Sequence, residues 1–471
     1  MTGTTKISRR IFLSTAASVA AGTVLAACAP QAAPTQAPAA ATEAPQATAV
    51  PAANTAPASS GGKTIQYWVS WGNYAGFWPE MEKTDEYKQA VGGNTVEVKG
   101  SAGDAVTTAV AAGTPPDGAS NVQYLDYMAR DVLWPIDEWV KNSAIIKKEN
   151  YLEGTWNDAF YKGTMYGVPA NEGFLRYGLN YNTKLVEAAG LDPKNPPQTW
   201  SECLEWHKAL TKFDSAGNLQ QIGLDPYDAM GGQIGIQDGF FPPVSWGWKW
   251  FDVDTGKFDL NNDKMAEAFD IMGQFYKIVG PDKMAGMRQV EGQGTWGGSY
   301  NTEMQAMIIE GYWHPGETMN DKPEVGKLNA ATWAPVPDSR KGVKVQGTGG
   351  HYVIIFKESK NKEEMFKVAE FLNTKAACDV IFTHNGWLPG LTTYLKTVDP
   401  SVYPGLDFYF KSMNEATEWS SPARCPITAF VSTQYQELRE KVYRDEMKPA
   451  EAAAEFQKRC EDEFKQAGFA S

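Results

Sequence analysis

Between Lys162 and Thr211 the chain reads KGTMYGVPANEGFLRYGLNYNTKLVEAAGLDPKNPPQTWSECLEWHKALT, and no other stretch limits its folds as strongly. A short strand is predicted over Met165 to Val168 and a second extended run over Phe174 to Leu179, with a bend at Pro169 to Gly173 between them. Two helices follow. Asn182 can cap the first and Gly190 can end it, with Pro193 close behind. Thr199 and Glu202 form a capping box for the second, which places Trp200, Cys203, Leu204, His207 and Leu210 at helical spacing. The bend at Pro169 to Gly173 reads as the point where the backbone leaves one lobe for another.

The segments before that bend alternate in type. Thr64 to Ser70 is β-rich, a helix-like segment leads to a strand at Thr95 to Lys99, and a small-residue helix around Ala105 to Ala112 precedes a third strand. Alternation with Gly/Pro punctuation argues for an α/β lobe with a largely parallel sheet. Ligands of such sheets bind beyond the carboxyl ends of the strands, which singles out the loops Trp71 to Tyr74 and Asn121 to Tyr124. After the bend, two Asp-rich turns separate short extended runs. The second holds Asp252, Asp254, Asp259 and Asp263, but Gly256 falls at the fifth position where a calcium loop needs the sixth, so a solvated turn is expected. Helices are predicted over Met265 to Val279, over Thr302 to Glu310 with Met304, Met307 and Ile308 on one face, over Asn361 to Asn373 behind an Asn-x-x-Glu cap, and over Pro449 to Ala467. Leu328 to Val336 reads as a second crossing, back toward the first lobe, and GGHYVIIF as a buried strand.

Several of these segments carry a resemblance. The order YKGTMYGVP, YNTKLVEAAGLD, PPQTWSE, joined by GTPPD upstream and by MQAMIIEGYW and NGWLPG downstream, resembles the extracellular solute-binding proteins of bacterial ABC importers. The carbohydrate-binding group that includes the maltose-binding proteins is the nearest in pattern, and the likeness runs from about Ile65 to the C-terminus. It implies a type II periplasmic-binding-protein-like fold: two discontinuous α/β lobes joined by hinge crossings, with a ligand cleft between them. On this reading one lobe takes 63–171 plus about 336–383, and the other 173–333 plus about 385–471. The resemblance further implies a carbohydrate ligand, a mono- or oligosaccharide, and ABC permease subunits in the membrane as partners. In the family, the Trp of the segment similar to MQAMIIEGYW, here Trp313, stacks on sugar.

The N-terminus reads as targeting rather than fold. Ser8-Arg9-Arg10-Ile11-Phe12-Leu13 is a twin-arginine export pattern, and Leu25-Ala26-Ala27-Cys28 resembles the bacterial lipobox, in which Cys28 becomes the lipidated first residue. Residues 1–27 are then the signal peptide and 28–62 a tether. From Ala29 to Gly62 the chain is nearly all Ala, Pro, Thr, Gln and Ser with Glu43 as its single charge, a composition that buries no core. Fully extended, it would reach on the order of 100 Å. The expected location is extracytoplasmic, with the body touching the membrane only through its lipid.

Removing the segment before Cys28 takes away Lys6, Arg9 and Arg10 and no acid, so the net charge goes from −13 to −16. Such a body argues against nucleic acid and anionic lipid headgroups as partners and suits a neutral ligand. Roughly 400 residues beyond the tether suffice for two lobes with separate cores; the body is expected to be monomeric. Cys203, Cys378, Cys425 and Cys460 lie far apart with no CxxC. They read as small buried hydrophobes, with room for one disulfide.

Tryptophan, at sixteen residues, runs about two to three times ordinary usage. Sugars present flat C–H faces, which aromatic rings cover, and a rim of hydroxyls, which Asp, Glu, Asn, Gln and His can bond. Residues of these types on predicted loops and crossings are the candidate ligand contacts: Trp71 and Asn73, beside Tyr74; Asn121, Gln123 and Tyr124; Asn171 and Glu172 at the bend; Trp246 and Trp248, at period two with Trp250; Tyr312 and Trp313; His351; and Trp387. Trp68, Trp139, Trp200 and Trp206 fall on strand or helix faces and read as core.

Enzymatic motifs do not emerge. There is no HExxH, GxSxG, phosphate-cradling Gly-rich loop or Cys/His metal cluster, the four histidines are scattered, and no carboxylate pair stands out for glycoside hydrolysis. No cofactor and no metal site is expected. Three alternatives stay open: a polyamine or a peptide as ligand of the same fold, a secreted glycan-active enzyme, and a redox protein of the kind twin-arginine export often serves.

Overall fold

The computed structural model describes residues 62–70, 74–100, 102–120, 124–227, 241–287 and 298–469. Sixteen strands are placed among them. In chain order these are β1 (Thr64–Val69), β2 (Thr95–Lys99), β3 (Gly118–Ser120), β4 (Phe160–Tyr161), β5 (Thr164–Met165), β6 (Gly167–Glu172), β7 (Gly178–Asn182) and β8 (Lys212–Phe213). There follow β9 (Leu219–Leu224), β10 (Phe251–Asp252), β11 (Lys257–Phe258), β12 (Gln305–Glu310), β13 (Asn329–Thr332), β14 (Val345–Gly347), β15 (His351–Ile355) and β16 (Glu418–Ser420).

Two five-stranded sheets organise the two lobes. The first has the order β2-β1-β3-β15-β6, with β1 parallel to β2 and β3 and with β15 antiparallel to its neighbours β3 and β6. The second has the order β13-β7-β12-β9-β8 and mixes directions: β12 runs parallel to β9 and antiparallel to β7. Helices pack on both, as the alternation of short strands and amphipathic segments demands. Thr199 accepts from the Glu202 amide while the Glu202 carboxylate accepts from the Thr199 amide, and the helix Trp200–Leu210 that they start buries Trp200, Cys203, Leu204, His207 and Leu210.

Three passages join the sheets side by side. The chain leaves β6 for β7 through Gly173 to Tyr177, returns from β13 to β15 through Trp333 to Gly350, and runs again along the junction at Gly386 to Leu391. Gly173 N donates to Leu388 O at 2.9 Å, Arg176 N donates to Gly347 O at 3.0 Å, and Leu175 bridges Thr348. Buried apolar residues run without a break from one lobe to the other through Phe174, Leu175, Tyr312 and Leu388, so the two cores are continuous rather than separate.

Several local expectations need correction. The strand predicted to stop at Val168 continues to Glu172, because β15 gives it a partner. The segment expected as a helix from Thr302 to Glu310 is the strand β12, all six of whose residues are buried between β7 and β9. A central strand buried on both faces reads as a continuous apolar run, which spacing alone cannot separate from a helix. The period-two spacing of Trp246, Trp248 and Trp250 does not lie on one element: a helix, Phe241–Trp246, ends there and Gly247 turns the chain at φ 71°. Asn361 precedes the helix Lys362–Phe371 without a side-chain cap; its amide donates instead to Thr64 O and Asp117. Cys203, Cys378, Cys425 and Cys460 are free and buried, and Asp252 is occupied by its own turn, accepting from the amides of Asp254 and Thr255 and from Lys249. Among the described residues no helix is long and apolar enough to cross a membrane.

Candidate ligand site at the crossings

The site begins with an irregularity in β6. Tyr352 pairs with Pro169 and the next β15 residue, His351, pairs with Glu172, so Ala170 and Asn171 bulge out of the ladder. Asn171 takes φ 65°, a conformation that Asn tolerates better than most side chains. Its carboxamide is spent within the first lobe: Oδ1 accepts from Tyr74 at 2.6 Å, and Nδ2 donates to the Tyr67 hydroxyl at 3.1 Å and to Ser120 at 3.2 Å. Burial pushes the Tyr67 hydroxyl up to about 12. Asn171, expected in the cleft, is therefore the knot that ties the ends of β1 and β3 to the crossing.

Glu172 emerges from the bulge at the junction. Arg176 donates to its Oε2 at 2.9 Å, and both side chains are almost wholly buried. His351 Nε2 lies 3.2 Å from the same oxygen. Burial, reinforced by the Arg176 charge, holds the His351 pKa well below the usual value, so a neutral imidazole stands beside the carboxylate. The backbone of the second crossing closes tightly over this group. A Cβ on Gly349 would fall 2.7 Å from Arg176 Nε, and one on Gly350 would fall 2.6 Å from the carbonyl oxygen of Glu172.

From the second sheet, β12 ends in Glu310 and the chain turns at Gly311 into the helix Trp313–Asp321. Trp313 Nε1 donates to Glu310 Oε2 at 2.6 Å, which fixes the indole, and the Arg176 guanidinium lies 5.4 Å from its ring centre. The Tyr312 hydroxyl accepts from Leu388 N at 3.0 Å, and burial raises its pKa well above the usual value. At the third crossing Trp387 Nε1 donates to Glu317 Oε1 at 2.5 Å. Burial pushes the Glu317 carboxyl up to about 8, the Trp387 bond opposes this, and the Glu172 and Asp321 charges add to it.

The structure thus brings Glu172, Tyr312, Trp313, His351 and Trp387 together where the lobes meet. Trp71, Asn73, Asn121 and Gln123 lie outside the described residues. Tyr124 is buried, edge-on to Tyr352 at 5.1 Å. Trp246 and Trp248 are not part of the junction group. Trp246 stacks on Trp200 in the core of the second lobe and donates to Glu267 at 2.9 Å, and half-buried Trp248 donates to Asp259 O at 2.8 Å. Both are used in packing because the helix Phe241–Trp246 and the turn at Gly247 direct them onto Trp200 and onto the residue that follows β11. Arg176, Glu310 and Glu317 escaped the sequence reading. A lone charge inside FLRYGL and a lone acid closing MIIE were available signals for the first two; Glu317 carries none.

Two indoles, three carboxyl groups, a guanidinium and a neutral imidazole can cover an apolar face and bond a hydroxyl rim. Among the described residues no cluster of His, Cys, Asp or Glu could hold a metal ion.

Comparison with known proteins follows the same lines. The model of the bacterial extracellular solute-binding protein family matches residues 70–377. A binding protein of Brucella abortus (strain 2308) is 25% identical over 313 residues, 60% of this chain; the chain thus spans 64% of that relative's length. An ABC transporter solute-binding protein from Thermotoga lettingae TMO, bound to α-D-tagatose, superposes with a TM-score of 0.69 at 22% identity, over 85% of this chain and 99% of the other. The maltose/maltodextrin-binding domain MalE of Bdellovibrio bacteriovorus, bound to maltotriose, gives 0.65 at 17% identity over 85% and 100%. With its two-lobed fold and three crossings, the chain belongs to the bacterial extracellular solute-binding protein family.

Proposed function

We propose that this protein is the substrate-binding lipoprotein of an ABC importer, capturing a mono- or oligosaccharide outside the membrane and delivering it to permease subunits. The observation that carries this reading is the junction group itself. Trp313, held by Glu310, lies beside the Arg176 of the Glu172–Arg176 pair, and Trp387, held by Glu317, stands on the third crossing. Similar proteins hold tagatose and maltotriose, which supports a sugar as the ligand class and leaves chain length open. Lobes of 63–171 plus about 336–383 and of 173–333 plus about 385–471 would close on it by bending at the crossings. A ligand touching both lobes only when closed shifts that equilibrium. The role is non-catalytic, and Cys28 carries the lipid that tethers the body through the 29–62 segment.

Calorimetry against sugars, oligosaccharides, polyamines, amino acids and short peptides, with chromatography of the recovered ligand, tests the reading. Saturable binding of one saccharide class, recovered unchanged, is expected. Binding of polyamines or peptides alone, or turnover of a glycan, would overturn it. Replacing Cys28 with Ser should release the protein from the membrane fraction.

A further inference from the structure

Beside the outer edge of the second sheet lies a pocket of about 580 Å³ that shares no residue with the junction group. One wall is the Asn195-Pro196-Pro197-Gln198 loop, another the first turns of the helix Trp200–Leu210, and the third is the end of β13 with the turn at Gly342. The shape is preformed. Asp192 pins the loop, accepting from Lys194 N at 2.9 Å and from the Asn195 amide at 2.5 Å, two prolines stiffen it, and Thr199 bridges Val336 behind it.

Two half-buried indoles, Trp206 and Trp333, face this space. Trp200, Trp246, Trp248, Trp313 and Trp387 each donate Nε1–H to a protein acceptor. Among the described residues Trp206 and Trp333 donate to none, so both N–H groups remain available to a bound molecule. Their rings are nonetheless held in place, Trp206 edge-on to Tyr181 at 6.2 Å and Trp333 edge-on to Phe408 at 5.3 Å.

The charges around the pocket are largely matched. Glu202 pairs with Lys341 at 2.5 Å, and Lys344 pairs with Glu415 at 2.8 Å while lying 5.3 Å from the Trp333 ring centre. Lys194 alone contributes an ammonium without an ion pair among the described residues. What remains for a ligand is the Trp206 ring, the side of the Trp333 ring that Lys344 leaves open, two indole N–H donors, the Gln198 amide, the Thr332 hydroxyl and, as a further donor, the Lys194 ammonium. That is a set for a neutral molecule with flat C–H faces and a hydroxyl rim. The volume sits within the range of about 300–1,000 Å³ typical of small-molecule sites.

We propose that this pocket is a second carbohydrate site, outside the cleft, in which one or two sugar rings lie against Trp206 and Trp333 with hydroxyls bonded to their N–H groups, Gln198 and Thr332. It acts independently of the site at the crossings.

The test is fluorine NMR of the full chain labelled with 5-fluorotryptophan, carrying Cys28→Ser, with the two resonances assigned by Trp206→Phe and Trp333→Phe. The probes are glucose, maltose, maltotriose, mannobiose and mannotriose. With at least one of them, both resonances are expected to move along a single saturable curve. The curve should persist in Trp313→Ala, and should weaken at least tenfold in Gln198→Arg, which fills the pocket from an exposed position. Three results would overturn the proposal: resonances that stay fixed with every probe, shifts that vanish in Trp313→Ala and so report only the crossing site, or shifts indifferent to Gln198→Arg.

Discussion

Arg176 Nη2 donates to Glu172 Oε2 across 2.9 Å, four residues apart in the chain and sealed from water where the backbone passes from the first sheet to the second. Neither partner can leave alone without stranding a buried charge. Arg176→Met should lower unfolding free energy by about 3–5 kcal/mol, and Glu172→Leu by a similar amount. The double variant should lose less than the sum of the two. Urea denaturation measures all three; strictly additive losses would mean that the pair is not coupled.

Trp313 has two separable roles, its ring and its 2.6 Å bond to Glu310. Phe at this position keeps a ring and loses the bond, whereas Ala loses both. Saccharide affinity should therefore fall in the order Trp, Phe, Ala, with Ala weaker by at least tenfold, about 1.4 kcal/mol. Wild-type affinity in Trp313→Ala, read by calorimetry on folded protein, would remove this residue from the site.

At Asn171 the backbone sits at φ 65° and the side chain bonds Tyr67, Tyr74 and Ser120. Both Asn171→Gly and Asn171→Ala strand those partners, at about 1–3 kcal/mol. Ala additionally strains the left-handed backbone by roughly 1 kcal/mol. The Ala variant should thus melt below the Gly variant, and the opposite order would argue against this backbone conformation.

Burial pushes the carboxyl of Glu317 up to about 8 and that of Asp126 up to about 7. Between the ordinary carboxyl range and these values the native state retains protons that the unfolded chain has released. Stability contributed by both groups therefore falls as pH rises through that window. Glu317→Gln removes one share, so its melting temperature should drop less between pH 5.5 and 8 than that of the wild type, by on the order of 2 °C. Identical pH slopes would show that Glu317 titrates normally.

Features whose cause is local were legible in the residues alone. Thr199 and Glu202 cap a helix wherever they stand three residues apart ahead of an apolar stripe, and the fold keeps Trp200, Cys203, Leu204, His207 and Leu210 on its buried face. Asn182 accepts from the Leu185 amide as a cap should, and the strands at Thr64 and Thr95 follow from their β-branched and aromatic runs. The two-lobed class followed from the family resemblance that these segments carry in their order around the bend at Gly173. What depends on partners distant in the chain was decided only in three dimensions. Gln305 to Glu310 is a strand because β7 and β9 flank it, and β6 runs on to Glu172 because β15 pairs with it. Asn171 turns inward because Tyr67, Tyr74 and Ser120 wait at the strand ends, and Glu317 meets Trp387 across 70 residues of sequence. Capping and periodicity act within a few residues and leave a local mark. Strand pairing, buried ion pairs and indole hydrogen bonds require groups that only the closed tertiary fold brings within 3 Å, so a linear chain carries their residue types without their geometry.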